Sequence, residues 1–206
     1  MLKKLLFYFI GMTLIGFGVG FILIANVGVG PWDLLMANSV KAFNISFTFG
    51  FAAQSAILIT MGFILRKKWP DITVLLLLIT GLYIGFLVDV VTQNNDPITN
   101  VVLGYLTLIG GLVTVLIGIN IARVTNIILP SIDFFVESLS LRTGLTFGRT
   151  KQLMELVALI IGVAIAVIYD LPNLVWVGTI IILVTGGPIV NAIYPAVKKV
   201  MSKFNL

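Results

Sequence analysis

The chain has 206 residues, 59% of them hydrophobic and 10% charged, with a formal net charge of +5 and a mean hydropathy of +1.16. So little polar surface cannot clothe a water-soluble globule of this length, and the composition places the chain in a bilayer. Histidine and cysteine are absent. This excludes disulfides, thiol nucleophiles and the usual zinc sets and removes the commonest general acid and base, so no enzyme, metal site or cofactor is expected.

Six apolar runs are long enough to cross ~30 Å of hydrocarbon as helices. The first, 5–27, follows Lys3 and Lys4; it is too long for a signal peptide and lacks a small-residue cleavage site, so it reads as a retained span. It stops at Asn26-Val27-Gly28-Val29-Gly30-Pro31-Trp32-Asp33, where glycine and proline break the helix and Pro31 with Asp33 signals a new start. The new segment, 32–43, suits a surface helix or a half-helix that dips into the bundle. Spans at 48–65, 72–92 and 100–122 follow. A second break, Asn126-Ile127-Ile128-Leu129-Pro130-Ser131-Ile132-Asp133, opens a short segment at 132–141, and spans at 152–169 and 173–194 close the chain. Gly186-Gly187-Pro188 interrupts the last of them.

Basic residues fix an expected orientation. Lys3 and Lys4, Arg66-Lys67-Lys68, Arg142, Arg149 and Lys151, and Lys198, Lys199 and Lys203 share one face if the spans alternate. By the excess of Lys and Arg on that side, it is the cytoplasmic face of a bacterial inner membrane, with both termini inside. The clusters lie between apolar runs and suit membrane lipids, not nucleic acid. Gln93-Asn94-Asn95-Asp96-Pro97 and Asp170-Leu171-Pro172-Asn173 carry no basic residue and fall outside.

The chain is also written twice. Shifted by 100 positions, Gly11 falls on Gly111, Gly18 on Gly118, Asn26 on Asn126, Asp33 on Asp133, Phe47 on Phe147 and Gly62 on Gly162. Three spans per copy force the second copy, 99–206, upside down relative to the first, 1–98. The expected fold is therefore all-α and polytopic: six transmembrane helices in two inverted three-helix repeats forming one membrane domain. Secondary transporters of this plan bind substrate near the midplane between the copies.

Candidate substrate-binding residues follow from polarity within apolar surroundings. Asp33 and Asp133 either cap their helices or form a related pair of carboxylates that titrate or hold a cation. Asn26 and Asn126 must find partners in the bundle, as bridges between helices or as contacts to substrate. Arg123 and Glu155 replace Leu23 and Ser55 of the first copy. Arg123 suits snorkelling to headgroups, and Glu155 suits a local ion pair with Lys151 four residues earlier; if both face inward, they make a cytoplasmic vestibule for an anionic group. Gly28, Gly30, Pro31, Pro130, Gly187 and Pro188 are the expected hinges. Gly16 with Gly20 and Gly81 with Gly85 present small faces for close helix packing or a homo-oligomer seam.

The glycine-rich first helix, the turn from Asn26 to Asp33, Gly85-Phe86-Leu87-Val88-Asp89, the stretch Ser138 to Arg149, and Gly187-Pro188-Ile189-Val190-Asn191 together resemble the bacterial YczE/YyaS/YitT-type membrane proteins. The resemblance spans nearly the whole chain and implies a bacterial inner-membrane protein without an agreed substrate. Ile128-Leu129-Pro130-Ser131 stands where a second glycine-rich turn is expected from the first. The expected function is secondary transport or export of a small or amphipathic molecule. The alternative is an accessory membrane protein that scaffolds or regulates a partner enzyme.

Overall fold

A computed structural model describes residues 2–67, 73–172 and 174–204; Lys68 and Asn173, named above in the loops, lie outside them. Eight helices and no strands occur among the described residues: α1 Leu2–Ile24, α2 Pro31–Phe43, α3 Phe47–Arg66, α4 Thr73–Gln93, α5 Val101–Thr125, α6 Ser131–Thr143, α7 Phe147–Ile168 and α8 Val177–Ser202. Five of these are long and apolar enough to cross a membrane, and α8 makes a sixth if its two parts, bent by 53° between Gly186 and Pro188, count as one span. The bend falls where a mid-helix proline removes a ladder hydrogen bond.

Boundaries differ from expectation mainly at the second copy. α7 starts at 147 instead of 152 because the Thr146 side chain accepts a hydrogen bond from the Arg149 amide, as Ser46 does from Phe49 at the start of α3. Arg149 and Lys151 thereby enter the helix. α8 starts at 177 instead of 173 and continues past Lys199.

The central crossing is between α1 and α5, and glycine makes it possible. A Cβ on Gly11 would stand 2.8 Å from the Gly118 carbonyl oxygen, and one on Gly18 would stand 2.7 Å from that of Gly111. The backbones therefore touch, antiparallel, at two points, and the contact Gly11 to Gly118 recurs as Gly111 to Gly18. Gly16 and Gly20 let α4 lie parallel to α1 through Leu87 and Val91, while Gly81 and Gly85 fit α4 against Ser55 and the Phe47 backbone of α3. The small faces are thus spent inside the chain.

The short helices run within the bundle, not across its ends. Gly162 of α7 faces Leu34 and Leu35, the Asn38 amide donates to the Gly162 carbonyl at 2.9 Å, and Phe43 meets Tyr169 edge-on. α2 therefore climbs parallel to the second half of α7, starting near its middle. In the same way Gly62 of α3 faces Phe134, and Arg66 reaches Glu137 and Ser138, so α6 follows the second half of α3. The chain ends lie together, with Phe7 and Phe204 rings 5.2 Å apart. Asp89 fixes the opposite end of α3 by accepting from the amides of Phe47 and Thr48 at 2.9 and 2.7 Å and from the Thr48 hydroxyl at 2.6 Å.

Candidate functional site

Because α2 and α6 both start at mid-bundle, their first turns face one space. A cavity of about 190 Å³ lies there, lined by Trp32 and Asp33 of α2, Ser131 and Asp133 of α6, Lys151 and Glu155 of α7, Gln54 and Ser55 of α3, and Thr80 of α4, with an apolar wall from Ile15, Val19, Val115 and Ile119. Both helices direct free amides and the positive end of the helix dipole towards it. The Asp33 carboxylate accepts from the Gly30 amide and so caps the start of α2, whereas the N-cap residues themselves, Gly30 and Pro130, supply no side-chain cap.

The two carboxylates have unequal surroundings. Asp133 accepts from the Lys151 ammonium at 2.7 Å, whereas Asp33 and Glu155 pair with no cation among the described residues. The expected local pair of Lys151 with Glu155 is not formed. Lys151 turns to Asp133 instead, because the start of α6 brings that carboxylate against α7. The hydroxyls of Ser55 and Ser131 join α3 to α6 at 3.0 Å. The indole nitrogen of Trp32 and the amide nitrogen of Gln54 are shut off from solvent and have no partner among the described residues. The cavity thus presents three carboxylates, one ammonium and two uncommitted donors.

The asparagines have another role. Asn26 and Asn126 are exposed and take the left-handed conformation, φ 55° and 51°, that ends α1 and α5. Asn and Gly tolerate this geometry better than other residues. Asn26 is remote from the central cavity, and Asn126 borders a second one.

That second cavity, about 340 Å³, opens at the end that carries the termini and is lined by Phe63, Arg66, Ala122, Arg123, Asn126, Ile127, Ile128, Leu129, Phe134 and Glu137. Arg66 bonds Glu137 at 2.6 Å and Ser138 at 2.7 Å and lies over the Phe134 ring. Arg123 lies over Tyr194, 4.9 Å from its centroid. Arg123 and Glu155 consequently line different cavities, and the partner of Arg123 in the vestibule is Arg66.

Of the hinge residues, Gly28 has φ +116°, and a Cβ on it would stand 2.6 Å from the Thr179 amide nitrogen. Gly30 meets only the Asp33 side chain and Ile182 at such range. Sequence reasoning passed over Lys151, Trp32, Gln54 and Ser131 as site residues. The signal for Gln54 was a lone amide within an apolar run.

Residues 2–195 match a family of unknown function, DUF6198. The uncharacterized protein YyaS of Bacillus subtilis (strain 168) is 27% identical over 202 residues, covering 95% of this chain and 94% of that protein. No solved structure matches.

Proposed function

For a chain that belongs to the DUF6198 family, which assigns it no activity, we propose secondary transport or export of a small or amphipathic molecule through the central cavity. The copies 1–98 and 99–206 then form one membrane domain of inverted repeats, with both termini cytoplasmic. The observation that carries this reading is that the first turns of α2 and α6, one from each copy, face a single cavity at mid-bundle in which charged and polar side chains are set in an apolar wall. The reciprocal contacts of Gly11 with Gly118 and Gly18 with Gly111 are what a two-fold axis in the membrane plane produces. Broken helices whose amide ends meet at the midplane are the binding device of inverted-repeat transporters.

The excess of carboxylates favours a proton or a cationic group as one occupant, since three carboxylates share one ammonium and Asp33 and Glu155 form no ion pair among the described residues. The volume equals that of about six liquid waters, enough for a small solute or one functional group of a larger one. Trp32 and Gln54 supply the donors that would orient it.

A chain without native cysteine allows a direct test. A thiol at position 54, in a Gln54→Cys variant, should react with membrane-impermeant maleimide from either face in vesicles of defined orientation, at different rates. Labelling from one face only, under every condition tried, contradicts transport and favours the scaffold alternative.

A further inference from the structure

The cavity at the terminal end has the composition of an anion site, independently of whether the central cavity carries a cargo. Its two guanidiniums face one carboxylate. Arg66 is committed to that carboxylate, Glu137, and to Ser138, and it is further held over Phe134. Arg123 makes no hydrogen bond and no ion pair among the described residues, and it lies over the Tyr194 ring, 4.9 Å from its centroid. A guanidinium stacked on an aromatic face keeps its planar fork of donors available at the edge, the geometry that matches phosphate and carboxylate oxygens. The backbone adds to this. Asn126 turns the chain at positive φ, and Ile127, Ile128 and Leu129, residues that line the cavity, have amides that donate to no group among the described residues. Uncommitted amides beside an unpaired cation make a concave positive site.

The rest of the wall is apolar: Phe63, Ala122, Ile127, Ile128, Leu129 and Phe134. A free inorganic anion gains nothing from these side chains, whereas an acyl or alkyl chain does. Basic pockets between transmembrane helices hold anionic headgroups for this reason.

We propose that this cavity binds the phosphate or carboxylate group of an anionic amphiphile, with Arg123 as the primary partner, the 127–129 amides as secondary donors and the apolar wall as the seat of the chain. The ligand chemistry has two possible sources, a membrane lipid headgroup and a soluble anion, and the test separates them.

The full chain is purified in a neutral maltoside detergent and titrated with dodecyl phosphate, with bound species counted by native mass spectrometry. Wild type should bind one dodecyl phosphate saturably. Arg123→Gln should weaken this at least about tenfold, the loss expected for a charge-assisted pair, and Arg123→Lys should weaken it less, because the charge stays while the fork is lost. Arg142→Gln, which removes an exposed positive charge at the end of α6, should leave binding unchanged. Failure of millimolar inorganic phosphate to displace dodecyl phosphate assigns the site to a lipid-like amphiphile; displacement assigns it to a soluble anion and overturns the apolar wall as the seat of a chain. Absence of saturable binding, equal binding by Arg123→Gln, or an equal loss in Arg142→Gln overturns the proposal. Arg123 is exposed and makes no hydrogen bond, so its variants fold, and the Lys variant checks this.

Discussion

The two turns that follow α1 and α5 begin alike and finish differently. Each opens on an asparagine at positive φ. After Asn26 the chain is sealed: Ala25, Val27 and Val29 are buried, the Gly178 amide donates to the Val27 carbonyl at 3.0 Å, and the Val29 amide donates to the Thr179 hydroxyl at 3.2 Å. After Asn126 the chain is half-exposed and borders the 340 Å³ cavity. The difference lies in one pair of residues. Gly28 adopts a backbone angle that side chains resist and lets α8 approach to contact distance. Its counterpart Ile128 is β-branched and can do neither. The turn after α1 is therefore sealed and the turn after α5 open.

Breaking the sealed turn should have the largest effect. Gly28→Leu forces both a strained φ and a clash with backbone, and we expect little folded protein to survive in detergent extracts; Ile128→Gly, at the related position, should extract as wild type does. Equal yields would show that the seal contributes nothing. Gly30→Ala should be milder than Gly28→Ala, because the atom it meets is the movable end of Asp33.

A smaller effect is expected from the unequal aspartates. Asp133→Asn strands the Lys151 ammonium in a partly buried site and should cost about 1–3 kcal/mol, read as a lower midpoint in thermal unfolding. Asp33→Asn removes a carboxylate that has no cation partner among the described residues and keeps an oxygen that can accept from the Gly30 amide, so it should be neutral or stabilising. If the two variants unfold at the same temperature, the cavity is not asymmetric in charge.

An effect of comparable size sharpens the background against which the turns differ. Gly111→Ala meets the Gly18 carbonyl at 2.8 Å, whereas a Cβ on adjacent Gly110 meets nothing within 4 Å. Overpacking should therefore cost Gly111→Ala about 1–3 kcal/mol, while Gly110→Ala gains up to about 1 kcal/mol of helix propensity. Matching melting midpoints for the two would place the α1–α5 crossing elsewhere.

Much of this was legible in the chain itself. Apolar run length located the long helices, and proline with a following aspartate marked where α2 and α6 start. The 100-residue offset singled out Gly11, Gly18, Gly111 and Gly118, but not that Gly11 meets Gly118, since a shift along the sequence carries no information on which residues an antiparallel crossing brings together. Contacts between the copies were equally hidden: Arg66 with Glu137, Lys151 with Asp133, Ser55 with Ser131. Local spacing favoured Lys151 with Glu155 because i,i+4 neighbours are the only partners a sequence displays. Asn26 and Asn126 read as buried amides since they lie at the ends of apolar runs, yet their backbone angle, not their side-chain polarity, is what the turn uses.

The proposal that the two turns act as alternating seals in transport is tested most directly by distances across both of them in the same sample. Spin labels at 26 and 177 span the sealed turn, and labels at 67 and 126 span the open one, all at exposed positions. Pulsed dipolar spectroscopy of the two pairs in lipid nanodiscs should give two distance populations each, with the short component of one pair gaining whenever the short component of the other declines on changing pH or adding a cationic solute. A single, condition-independent distance at each pair contradicts the account and leaves the chain a static scaffold.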